Sequence, residues 1–184
     1  MHINPYGQEP VLLAENLAND RPATAAELDR RCREAGVVLE RPSTAEVLRR
    51  VDAFLDQWVR VVDATAARER ADRLNRLLAA HVSPPRLTDH EDGVWHVHYR
   101  PDDQTLAVIL PTLISMGTAL HLTGRGMHRL GRCAAPGCER VYADVSRNGT
   151  QRFCSPRCAS RDGVRRHRER AGRPASRSRE SSVA

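Results

Sequence analysis

A chain of 184 residues has room for one ordinary domain plus a small module, or for one larger domain; 40% apolar residues suffice for a core, but 4% aromatics leave its packing to Leu, Val and Ala. Residues 1–124 carry 14 Arg against 18 Asp plus Glu and residues 125–184 carry 15 Arg against 5, so an acidic body (net −4) precedes a basic end (net +10) of the kind that meets a polyanion. The opening MHINPYGQEP has no basic segment followed by an apolar stretch, which argues against a secretory signal, and the five cysteines then read as metal ligands or free thiols, not a disulfide framework.

The body reads as mostly helical. Leu13 and Leu17 lie four apart in a short first helix. Thr24 with Glu27 forms a capping box for a helix that runs to about residue 35, where Gly36 stops it. Leu28 and Cys32 share a face of that helix, which makes Cys32 a small buried hydrophobe. Ser43 with Glu46 predicts a second capping box. Behind it Val47, Val51, Phe54, Leu55, Trp58 and Val62 recur at helical spacing. A further helix over about 68–81 turns Leu74, Leu77 and Leu78 inward, and its alternating charges Glu69, Arg70, Asp72, Arg73 and Arg76 read as a solvated face.

The period then changes to two. Trp95, Val97 and Tyr99 alternate with Val94, His96 and His98, predicting a half-buried hairpin with Asp92-Gly93 at its turn. His96 and His98 fall opposite the aromatic face and read as surface histidines with no metal role. Between Asp103 and Arg125 lie 21 residues without an acid or a base, long enough to span a bilayer. Thr105, Thr112, Ser115, Thr118 and His121 make the stretch too polar for that, so it reads as a helix buried in the core, kinked at Pro111. Gly124, Gly126 and Gly131 loosen residues 124–132 into a hinge between a body, residues 1–123, and a module, residues 133–172. Residues 173–184 have the composition of a disordered tail.

The module holds Cys133, Cys138, Cys154 and Cys158: a C-x4-C pair, fifteen residues, then a C-x3-C pair. Two close pairs at this separation suit one tetrahedral Zn²⁺ with four thiolates. VYADV and TQRFC read as the strands of a hairpin turned at Asn148-Gly149, and the last pair opens a helix. The fold class is therefore a mainly α domain with a small β-hairpin, followed by a treble-clef-like zinc finger. Four thiolates close the metal shell, so the zinc reads as structural, with no catalytic residues and no enzyme.

On the last helix Arg157, Arg161, Arg165 and Arg168 keep to one stripe, with Arg166 and Arg170 flanking it and His167 between them. A rigid helix with one-sided positive charge suits docking on duplex DNA. An RNA-binding or ribosome-associated zinc module, and a protein-interaction adaptor merely stapled by zinc, are the other readings.

SRNGTQRFCSPRCASR followed by RRHRER resembles the CGNR zinc finger, and the helical body with its late hairpin is similar to the ABATE domain that precedes this finger in bacterial transcription regulators named for stress induction. The resemblance covers most of residues 8–170. It implies zinc at Cys133, Cys138, Cys154 and Cys158 and DNA binding by the finger. Asp144, Ser146, Arg147 and Asn148 match the family's turn, and Arg147 and Asn148 join the helix arginines as expected DNA contacts. In the signature tetrad this chain reads Cys158-Ala159-Ser160-Arg161, with Ala-Ser in place of Gly-Asn. The expectation is a cytoplasmic, nucleoid-associated regulator that carries one structural Zn²⁺, has no membrane segment, and forms a homodimer or senses a small molecule through its body.

Overall fold

A computed structural model describes residues 7–89, 95–99 and 105–171. The helices are α1 (Gln8–Asn19), α2 (Ala25–Glu34), α3 (Ala45–Asp63), α4 (Ala67–His81), α5 (Leu106–Arg125) and α6 (Pro156–Ala171). Two antiparallel pairs accompany them: β1 (Arg86–Thr88) with β2 (His96–His98), and β3 (Leu130–Arg132) with β4 (Val141–Ala143). The expected fold class is the one observed, a mainly helical body followed by a four-cysteine module.

The 21-residue uncharged stretch forms the centre of the body. Helix α5 packs against α1, α3 and α4, burying Leu106, Leu110, Ile114 and Leu122 against Phe54, Leu55 and Trp58. It is long and apolar enough to cross a membrane, yet 67% of its most apolar window is buried inside the body. Its buried Thr118 is paired internally: the Trp58 indole N–H donates to the Thr118 hydroxyl at 2.9 Å, and that hydroxyl donates to the Ile114 carbonyl at 2.6 Å. The helix continues through Pro111. Where α1 crosses α5, Gly117 is required by contact, because a β-carbon there would come within 2.7 Å of the Pro10 side chain.

The caps follow local sequence. Thr24 accepts from the Glu27 N–H, and the Glu27 carboxylate reaches back to the Ala23 N–H. Gly36, at φ 77°, ends α2 with Val37 N–H bonded to the Cys32 carbonyl, a Schellman closure. The cap of α3 is one residue later than the Ser43 expected: Thr44 accepts from the Val47 N–H, because the Ser43 N–H is taken by the buried carboxylate of Asp29 at 2.9 Å.

Two further expectations are corrected. Arg70 does not lie on a solvated face. It is buried, and its guanidinium donates to the carbonyls of Val61, Val62, Ala64 and Met127, closing the C-terminal end of α3. The β1–β2 hairpin forms in the expected place, pairing Leu87 with Val97. Its apolar side chains are not half-buried, however, since Leu87, Trp95 and Val97 are all exposed. The Asp92-Gly93 turn, the side chains of His96 and His98, and the tail from residue 172 lie outside the described residues.

Candidate metal centre and basic helix

The module is built around β4, whose partner is not the TQRFC segment expected. Strand β4 pairs with β3, upstream of the first cysteine. The first cysteine pair therefore sits in the loop of the β3–β4 hairpin. Cys133 N–H donates to the Arg140 carbonyl at 2.8 Å, extending the ladder by one rung, and the Cys138 N–H turns back to the Ala135 carbonyl at 3.0 Å. Gly137, at φ 70°, makes the reversal possible. TQRFC runs alongside this knuckle instead, held by the Ala134 N–H on the Arg152 carbonyl. Ser155 then starts α6: its hydroxyl accepts from the Cys158 N–H at 3.3 Å, with Pro156 at the first helical position.

These elements bring all four sulfurs within 4.8 Å of one another. Cys138–Cys154 and Cys154–Cys158 stand 3.8 Å apart and Cys158–Cys138 3.9 Å. A tetrahedron with zinc–sulfur bonds of ~2.3 Å has edges of ~3.8 Å, so the donor set fits one Zn²⁺ in size as well as chemistry. Among the thiols themselves, burial opposes ionisation of Cys133, but the N–H groups of Cys154 and Ala135 and the neighbouring thiols outweigh it and bring Cys133 down to about 7. Burial, hydrogen bonds to the other three sulfurs and the charge on Cys133 push Cys154 up to about 12. One thiol of the cluster thus ionises readily and raises the cost of ionising its neighbours, a repulsion that a divalent cation removes.

The turn that follows β4 is organised by a residue that the sequence marks only as a motif letter. Asp144 is buried, and its Oδ1 accepts from the Ser146 N–H (2.9 Å) and hydroxyl (2.5 Å) while its Oδ2 accepts from the Gln151 N–H (3.0 Å). Arg129, also buried, lies 3.5 Å from the same carboxylate and donates to the carbonyls of Arg125 and Ser146. Burial alone would raise the Asp144 pKa. The bonds from Ser146 and Gln151 and the Arg129 charge hold it below the usual carboxylate value.

Helix α1 completes the outer edge of β4. The Asn19 amide donates to the Val141 carbonyl at 2.9 Å and accepts from the Val141 N–H at 2.7 Å, acting as a one-residue strand partner. One turn earlier, Glu15 accepts from the Ala143 N–H at 3.1 Å. On the other side of the module Arg132 grips Asp63 at 2.7 and 3.0 Å. Asn19, Glu15 and Arg129 carry no sequence signal for this role, because their partners are main-chain groups more than a hundred residues away or a turn whose geometry depends on them.

Helix α6 borders α1 only across a cleft at its first turns and is otherwise mostly exposed. Of its 16 residues only Asp162 is buried. Arg157, Arg161, Arg165, Arg166, His167, Arg168 and Arg170 are all exposed, as are Arg147 and Asn148 on the turn. They are not equivalent. Arg165 pairs with Asp162 and Glu169, both at 2.6 Å, and Arg166 with Asp162 at 2.9 Å. Arg157 and Arg161 instead line a cleft shared with Cys138, Cys154 and Cys158. Ser160, the departure from the family tetrad, is exposed on the same helix.

Among curated proteins no relative matches the chain. Two family models do. The CGNR zinc finger matches residues 129–171, the knuckles and α6. The ABATE model matches residues 13–135, two-thirds of the chain, and overlaps the finger model across β3. The chain therefore belongs to the ABATE family, described as "Putative stress-induced transcription regulator", with a CGNR zinc finger at its C-terminal end.

Proposed function

We propose that this protein is a DNA-binding transcription regulator in which one structural zinc holds α6 out to duplex DNA. The observation that carries the reading is the state of the α6 arginines. Arg157, Arg161, Arg168 and Arg170 are exposed and have no carboxylate partner among the described residues. Three of these guanidiniums, Arg157, Arg161 and Arg168, share one face of a helix that the metal ligand Cys158 anchors and make a preorganised phosphate-binding surface, with Arg170 adding charge on the far side. Arg165 and Arg166, tied to Asp162 and Glu169, position the helix and add charge without being fully available. Arg147 and Asn148 supply a second contact from the turn.

A single finger covers few base pairs, so specific regulation calls for two copies on paired half-sites. The groove of about 560 Å³ between α1 and α2, walled by Leu12, Leu13 and Arg30, is the body's candidate seat for a small-molecule signal. The protein would then work in the cytoplasm, at the nucleoid.

The test is fluorescence anisotropy of a labelled duplex across a salt series. Neutralising ~4–6 phosphates predicts log K falling with log salt at a slope near −0.9 per contact. Joint reversal by Arg161→Glu and Arg168→Glu, which share one face of α6, lowers affinity at least ~10-fold and flattens that slope, because two phosphate contacts become repulsions. Arg49→Glu, an exposed position on α3 of the body, leaves both unchanged. Structured RNA outcompeting the duplex would move the reading to an RNA-binding module. Intact regulation in the cell despite both reversals would move it to a protein adaptor.

A further inference from the structure

The four sulfurs do not share one environment. Cys133 is buried, 7% exposed, where β3 enters the hairpin loop. Cys138, Cys154 and Cys158 are half-buried and face a cleft of about 600 Å³ between the finger and α1. Leu12 forms part of the far wall of that cleft, and Arg157, Arg161 and Ser155 border the sulfurs. One water molecule occupies ~30 Å³ in the liquid, so an oxidant of similar size reaches the sulfurs without any rearrangement.

We propose that this cleft makes the metal centre a hydroperoxide-reactive site: peroxide joins two of the three cleft-facing thiolates in a disulfide and releases zinc, while Cys133 stays a thiol. The inference rests on the zinc centre alone and holds whatever polyanion α6 binds.

The chemistry balances with peroxide as the sole co-reactant. One thiolate attacks a peroxide oxygen, forming an S–O bond as the O–O bond breaks, and hydroxide leaves with the electron pair. The guanidiniums of Arg157 and Arg161 stabilise that departing charge, and the Ser155 hydroxyl, 4.0 Å from the Cys154 sulfur, is placed to hydrogen-bond it. A second thiolate attacks the sulfenic acid sulfur, the S–S bond forms, and a second hydroxide leaves. Two thiolates and one hydrogen peroxide yield one disulfide and two hydroxides, a two-electron oxidation of sulfur. The cleft-facing pairs start 3.8–3.9 Å apart and close to ~2.05 Å, which the flexibility of a loop and a helix start allows. A Zn²⁺ left with two sulfurs has lost half its shell and departs.

The experiment treats the zinc-loaded full chain with hydrogen peroxide, follows zinc with a chromogenic chelator, and maps the cysteines by alkylation and peptide mass spectrometry. One zinc should appear for every two thiols lost, every disulfide should lie among Cys138, Cys154 and Cys158, and dithiothreitol with added zinc should restore the site. Leu12→Trp narrows the cleft and slows release several-fold at unchanged zinc content. Arg157→Ala slows it as well, by removing a charge that stabilises the leaving hydroxide. A disulfide containing Cys133 overturns the proposal, and so does zinc retained through peroxide treatment. Release at the wild-type rate in both variants overturns it too. Duplex retardation by the reduced protein, measured separately, reports on the DNA reading and keeps the two failures apart.

Discussion

Asp144 uses both carboxylate oxygens on the chain around it, and Arg129 closes the arrangement from below. Replacing it by Ala leaves the N–H groups of Ser146 and Gln151 without their acceptor, at about 1–3 kcal/mol for each unpaired buried group, and leaves Arg129 without its counter-charge. The sign of its pH dependence follows from its depressed pKa. An acid held below its unfolded value contributes stability fully above that value, about 3.9, and loses it as pH falls through the folded value. Urea unfolding of the wild type and Asp144→Asn should therefore differ most at neutral pH, and the gap should narrow below about pH 4. A gap constant from pH 7 to 3 would mean that the carboxylate charge contributes nothing. Cys32 is the contrasting residue. Its place on the inner face of α2 was legible from its four-residue spacing with Leu28, and its burial pushes the thiol up to about 12, so it stays inert toward alkylating agents while the protein is folded.

At the scale of elements, the arginines divide into two populations that composition cannot separate. Arg31, Arg70 and Arg129 are buried and close the C-terminal ends of helices α1, α3 and α5 by donating to main-chain carbonyls there. Those on α6 face water. Periodicity reads Arg70 as solvated because nothing local reports that α3 ends against it; only the packing of α3 on α4 does. The same limit explains the misread partner of β4. VYA and TQRFC are adjacent in sequence with an Asn-Gly turn between them, which is the strongest local signal for a hairpin. Strand β3 wins because LGR leads straight into the first cysteine, and pairing it with β4 closes the knuckle. The α1 contacts to β4 yield a direct test. Asn19→Ala leaves both main-chain groups of Val141 without a partner and should lower stability by about 1–3 kcal/mol. Zinc content should stay at one, because no sulfur moves. Loss of zinc in that variant would show that the strand edge, and not the knuckle alone, shapes the metal shell.

For the whole molecule, the helical body and the four ligands were readable because each depends on signals within a few residues: apolar spacing, caps, and paired cysteines. How the two parts join was not, because the link is made by Asn19, Glu15, Asp63 and Arg132, whose partners are distant in the chain. The composition of the core predicts what chelation does. The body buries its own apolar set around α5 and needs no metal, whereas the module has few buried apolar side chains beyond Val141 and Ala143. Removing zinc with a strong chelator should thus unfold α6 and the knuckle first and leave a second, cooperative melt of the body, seen as two transitions in circular dichroism. A single transition at the temperature of the zinc-loaded protein would contradict that division.

Residues 130 to 133 perform four different tasks in succession. Leu130 belongs to the body's core, Gly131 admits the Tyr142 ring, Arg132 holds Asp63, and Cys133 enters the metal shell. Strand geometry alternates sides at every residue, so the parity of this short run is shared property. Adding one residue within it would turn either the leucine out of the core or the cysteine away from its three companions. Body and finger can therefore be neither respaced nor exchanged at their junction by a simple splice, and a chimera that grafts this finger onto another protein would have to carry the edge of the body with it.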